Sequence, residues 1–144
     1  MTLSTSQPFY NPSVFYSPAR LAVGAVFEGA TTALAAGLFT TISPLGGAIF
    51  GVSQWLSFHL IQWISDKINC CADSLIGKIA QLALSWISST VIGVLVTTAI
   101  GIPITLATGA VLTIASLVVG IAVGLAFTGC FCSSAIATGL VLGN

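Results

Sequence analysis

From Ile79 to Asn144 the chain contains no Asp, Glu, Lys, Arg or His. Two apolar runs fill most of that stretch, Ile79–Ile100 and Ile104–Thr128, separated only by Gly101-Ile102-Pro103. A helix rises about 1.5 Å per residue and the hydrocarbon core of a bilayer is about 30 Å thick, so about 20 apolar residues suffice to cross it. Two such runs joined by so short a turn predict a transmembrane helical hairpin. A soluble fold is excluded on two grounds. Only 4% of the 144 residues are charged, where a soluble domain carries roughly 25%. The runs also lack the polar face that recurs along a soluble helix.

The first half of the chain repeats the pattern less cleanly. Leu21–Ile42 is apolar apart from Glu28 and ends at Ser43-Pro44-Leu45-Gly46-Gly47, a strong turn signal. A shorter run, Gly47–Ile64, mixes Trp55 and Trp63 with Gln54, His59 and Gln62. It either crosses with neighbours covering its polar atoms or lies in the interface as an amphipathic helix. The expected fold is therefore an all-α membrane protein of two transmembrane helical hairpins, about four spans, with a short N-terminal arm. Its expected segments are an arm over 1–20, a first hairpin over 21–64, a charged loop over 65–78, a second hairpin over 79–128 and an interfacial tail over 129–144. The stretch before Arg20 has no basic residue, unlike a secretory signal peptide, so the first span is expected to be retained. Arg20, Lys67 and Lys78 all fall on one face of a two-hairpin model, and the turns at Pro44 and Pro103 fall on the other. That asymmetry follows the positive-inside rule.

Transmembrane helices associate by close approach at small residues, because lipid supplies no hydrophobic force between them. Each expected span has a small-residue row at four-residue spacing. The rows contain Gly29 and Gly37, Gly47 and Gly51, Gly93, and Gly120 and Gly124. They predict packing within the chain, self-association into a homo-oligomer, or both. The two rows of the second hairpin single it out as the expected packing core.

Glu28 and His59 are the ionisable side chains inside the expected spans. Their midpoint in sequence falls at the Ser43-Pro44 turn, so an antiparallel hairpin places them at similar depth. An intramembrane carboxylate is costly and suggests a partner, a water-filled path or a proton relay. Imidazole titrates near neutrality and is a natural partner. The pair reads either as a contact that fixes the hairpin or as a pH-sensitive or ion-conducting site. Cys70, Cys71, Cys130 and Cys132 fall at the charged face. Their C-C and C-x-C spacings are unlike the ligand spacing of zinc sites, which favours plain thiols or acylation over a disulfide or a metal. The repeat Phe9-Tyr10-Asn11-Pro12 and Phe15-Tyr16-Ser17-Pro18 reads as an interfacial aromatic belt or as a motif for a protein partner. No catalytic constellation and no nucleotide-binding glycine pattern is present, so neither an enzyme nor a cofactor is expected. A net charge of zero argues against nucleic acid, whose binding needs clustered Lys and Arg.

The close pair of spans around Gly101-Ile102-Pro103 resembles the bilobed hydrophobic domain of chlamydial inclusion membrane proteins. The charge-free start Met1-Thr2-Leu3-Ser4-Thr5-Ser6 is similar to a type III secretion leader. The resemblance implies insertion into a host-derived vacuole membrane with both termini in host cytosol. It carries over no functional residue. Two function classes remain: a small non-enzymatic membrane protein that inserts, self-associates and engages a partner, and a pore or permeability factor of the viroporin or holin kind.

Overall fold

A computed structural model describes residues 17–68 and 75–142 of the chain, without the side chains of 66–68 and 131–142. The aromatic arm (Phe9, Tyr10, Phe15, Tyr16) and Cys70 and Cys71 lie outside the described residues, as does the Cys132 side chain. Four helices account for nearly all the rest: α1 (Pro18–Phe39), α2 (Pro44–Ile68), α3 (Leu75–Ala99) and α4 (Leu106–Leu142). No strand occurs among the described residues.

Two helices begin at the same dipeptide. Ser17-Pro18 opens α1, with the Ser17 side chain accepting from the Arg20 amide. Ser43-Pro44 opens α2, with Ser43 Oγ accepting from the Gly46 amide at 3.2 Å. Serine satisfies one of the orphan amides of a helix start. Proline at the first helical position sacrifices no hydrogen bond and has a helical φ already. These prolines start helices, so Pro18 belongs to α1 and not to the expected arm, and Pro44 to α2 and not to the turn. Helix α4 opens on Thr105, whose hydroxyl accepts from the Thr108 amide at 3.2 Å.

Both hairpin turns are closed by hydrogen bonds. After α1, extended Thr40 ends the helix; its hydroxyl donates to the Ala36 carbonyl and accepts from the Ile42 amide. After α3, Gly101 stands at φ +97°, its amide bonded to Thr98 and that of Ile102 bonded to the Thr97 carbonyl. This is a Schellman closure, which needs a left-handed residue at that point. The Gly101-Ile102-Pro103 turn is where it was expected.

Three helices are long and apolar enough to cross a membrane: Pro18–Phe39, Leu75–Ala99 and, within α4, Leu106–Cys130. Helix α2 falls outside that group because Gln54, His59 and Gln62 break its hydropathy. The charged loop is shorter than expected, since α2 runs to Ile68 and α3 begins at Leu75, which puts Lys78 on a helix. Residues 129–142 are not a separate tail. They continue α4 as one helix of 37 residues.

Consecutive helices run antiparallel, and α2 is the helix with most neighbours. It packs closely on α1 and on α3, whereas α3 and α4 touch each other sparingly and α4 leans on α1. The first hairpin is thus the packing core, and the second is wrapped around it. Glycine and alanine explain the choice. A Cβ on Gly47 would come within 2.6 Å of the Thr32 carbonyl and the Ala36 methyl, and one on Gly51 within 2.7 Å of the Glu28 carbonyl. The fully buried Phe50 fills the junction, its ring lying over Gly93 of α3.

The burial pattern is inverted relative to a soluble bundle. Ser85, Ser89 and Thr97 are buried at 0–1% exposure, whereas Ile76 is 80% and Leu125 68% exposed. Around a small apolar cluster of Phe50, Val94, Ile104 and Leu112, the interior is made of small and hydroxyl-bearing side chains, and the surface of large aliphatic ones.

A cavity at the junction of four helices

The side chain that organises the interior is Gln54, in the middle of α2 and only 5% exposed. Its amide nitrogen donates to Thr90 Oγ1 of α3 at 3.0 Å and to Thr113 Oγ1 of α4 at 2.9 Å. Each threonine hydroxyl in turn donates to its own helix, Thr90 to the Trp86 carbonyl and Thr113 to the Gly109 carbonyl. A hydroxyl has one proton. Both threonines thus accept from Gln54 while donating to their own helices, with the amide nitrogen toward the threonines and the carbonyl away from them. That carbonyl oxygen is buried and has no hydrogen-bond partner.

Glu28 approaches from α1. Its Oε1 accepts from Ser116 Oγ of α4 at 3.2 Å, and the same hydroxyl also faces the Thr113 carbonyl at 3.0 Å. Ser116 has one proton for two acceptors. The indole Nε1 of Trp55 is a second buried atom without a partner. The residues Glu28, Gln54, Trp55 and Ser116 border one cavity of about 160 Å³, completed by Phe58, Trp86, Ser89, Thr113 and Leu117. A water molecule needs roughly 10–15 Å³ of such space and two or more polar partners, so the cavity has room for several small occupants.

A second rung lies nearer the end of α2 and is simpler: Gln62 donates to Ser85 Oγ at 3.1 Å, and Ser85 donates to the Gln81 carbonyl. Both rungs tie α2 to its neighbours through side-chain amides, which is how polar residues act between helices in lipid.

The structure does not pair Glu28 with His59. Glu28 lies opposite Gly51, as Gly24 lies opposite Trp55 and Thr32 opposite Gly47. His59 instead sits by Leu21, in a groove with Leu56, Leu60 and Trp63. Its Nδ1 is 3.0 Å from the Trp55 carbonyl, and its ring stacks on Trp55 with centroids 4.1 Å apart. The shift has a simple origin: α1 stops at Phe39 and α2 starts at Pro44, so the chain reverses earlier than a turn centred on Ser43-Pro44. Gly51 and His59 are eight residues apart, about 12 Å along a helix.

Among the other expected site residues, Gly29, Gly47, Gly51 and Gly93 are packing positions. Gly37 is exposed, a Cβ on Gly120 would make only ordinary contact with Phe27 at 3.8 Å, and Gly124 meets nothing within 4 Å. Cys130 is a free, exposed thiol. Close approaches at Gly24 (to the Trp55 indole) and Gly109 (to Val94) were not anticipated. Gln54, Thr90 and Thr113 were also missed as a unit, although a lone amide in an apolar helix and a hydroxyl pair at Thr113 and Ser116 were visible signals.

Comparison with known proteins finds no matching family, no matching curated relative and no matching solved structure.

Proposed function

We propose that this chain is a non-enzymatic integral membrane protein that inserts as a compact four-span helical bundle. The burial pattern carries the reading: large aliphatic side chains cover the outside, and hydroxyls and an amide share the inside with a small apolar cluster. Water would leave that outside solvated at great cost, whereas lipid accepts it. Helix α2 crosses with the others because its amides Gln54 and Gln62 are bonded to hydroxyls of α3 and α4, so these polar groups face protein and not lipid. Insertion is tested by floating the purified chain with liposomes and then extracting at alkaline pH. Chain that stays with the lipid supports the reading; chain released by carbonate removes it.

The exposed Gly124 on α4 supports self-association, because it offers a second copy a backbone approach that no helix of the same chain uses. A host vacuole membrane is the setting that the inclusion-protein resemblance supports, and the Phe-Tyr repeat supports a protein partner there. The cavity around Glu28 favours a second reading, a permeability factor. Dye release from liposomes separates the two: release that depends on protein dose supports permeability, and sealed vesicles support the inserted scaffold.

A further inference from the structure

We propose that the cavity beside Glu28 is a binding site for a small organic ammonium ion, its charge on the Glu28 carboxylate and its apolar body against Trp55, Phe58, Trp86 and Leu117. Three observations lead there. First, Glu28 is the polar group of the wall with something left to offer. The other polar residues there, Gln54, Ser89, Thr113 and Ser116, are buried at 0–7% exposure. The three hydroxyls among them already donate to backbone carbonyls. Glu28 is half-buried, and its Oε1 accepts from Ser116, whose proton is shared with the Thr113 carbonyl. Its Oε2 has no hydrogen-bond partner among the described residues and keeps accessible surface.

Second, no described side chain brings a positive charge to that carboxylate. Glu28 is the one ionisable residue on the wall among the described residues. The described basic side chains Arg20 and Lys78 are exposed, and His59 faces a different groove. An unpaired carboxylate in a membrane interior is strongly disfavoured, and a ligand with one positive charge relieves it. Third, the wall selects the kind of monocation. A bare alkali ion must exchange its hydration shell for several oxygens, and this wall is mostly apolar, with one carboxylate. An organic ammonium instead brings apolar surface of its own, whose burial is favourable. Trp55, Phe58 and Trp86 border the space, and aromatic rings attract such cations. At about 160 Å³ the cavity is close in size to the cavity of about 150 Å³ that takes up benzene, so one ring or a short branched alkyl group is the limit. Trp86 and Thr113 also border the wider apolar groove between α3 and α4. In an inserted bundle that groove meets lipid, from which an amphipathic ammonium arrives.

The proposal rests on the chain being inserted as a bundle, and insertion is read separately by flotation of the same sample. Purified full-length protein in liposomes is equilibrated at neutral pH with radiolabelled benzylammonium, and protein-free liposomes supply the background. Saturable binding above that background is expected. Unlabelled benzyl alcohol and benzoate share the ring and differ in charge, so they separate charge from shape without any variant. Benzyl alcohol should compete at least tenfold more weakly than unlabelled benzylammonium, and benzoate should not compete. Exchanging the sodium of the buffer for N-methylglucamine at constant ionic strength should leave the affinity within about twofold, because a bare ion is not the ligand. Glu28→Gln, which preserves the shape of the side chain, should abolish the saturable binding. The proposal is overturned by absent saturable binding or by binding that survives in Glu28→Gln. Benzyl alcohol competing as well as benzylammonium also overturns it and makes this a plain apolar cavity, and displacement by sodium overturns it in favour of a bare ion. Protein that floats but shows any of these results loses the ammonium site and keeps the membrane reading.

Discussion

At the scale of single residues, space and not chemistry decides which glycines matter. Gly51 and Gly124 were equally plausible in the sequence, since both belong to small-residue rows. A Cβ on Gly51 would come within 2.7 Å of the Glu28 carbonyl, whereas one on Gly124 meets nothing. Gly51→Leu should therefore force α1 and α2 apart and destabilise the bundle by about 1–3 kcal/mol, the cost typical of overpacking. Gly124→Leu should leave thermal unfolding in detergent unchanged and lower only the crosslinked dimer fraction, if α4 is the self-association face. Equal unfolding temperatures for wild type and Gly51→Leu would contradict the packing described above. Gln54 is the second residue with a distinct expectation. Replacing it with leucine removes two interhelical hydrogen bonds, each worth about 0.6–2 kcal/mol in a membrane protein. Unfolding of Gln54→Leu should fall below that of Gln62→Leu, because Gln62 makes one such bond among the hydrogen bonds described here.

At the scale of elements, the helices were legible and their faces were not. The charge-free runs and the Gly101-Ile102-Pro103 turn are strong signals because each has a local cause: hydrocarbon thickness in one case, a left-handed glycine in the other. The face each helix buries is a relation between helices. A strict four-residue row drifts about 40° per step around a helix of 3.6 residues per turn, so the α1 row that begins at Ala25 and Gly29 leaves the interface before Gly37. The buried positions that replace it are Thr32, Ala35 and Ala36. The Glu28–His59 pairing failed for a related reason. Register in a hairpin is inherited from the turn, and Ser43-Pro44 reads equally as the turn's centre and as the helix start that it is. The start can be tested through its cap. Ser43→Ala removes the acceptor of the Gly46 amide and should cost about 1 kcal/mol, measured as a lower unfolding midpoint with helical content unchanged. Gly101→Ala should cost a comparable amount, since alanine disfavours φ +97°.

At the scale of the whole molecule, the arrangement of four helices makes a statement about topology that composition could not. Three helices pass the length and hydropathy needed to cross, and α2 does not. Yet α2 is antiparallel to both of its main neighbours and bonded to both α3 and α4 through Gln54. If it crosses with them, the α1–α2 turn and the α3–α4 turn emerge on the same side of the membrane. If it lies in the interface, they emerge on opposite sides. Thr41 and Thr105 are exposed residues of those two turns. In a chain whose four native cysteines are replaced, Thr41→Cys and Thr105→Cys, introduced one at a time, should react with an impermeant maleimide from the same side of sealed, oriented vesicles. A lone cysteine at position 130 should react from the opposite side, because α4 runs from Thr105 across the bundle toward the end where α1 begins. Labelling of Thr41→Cys and Thr105→Cys from opposite sides would place α2 in the interface. The cavity beside Glu28 would then be a surface feature, and Gln54 would have water for a partner.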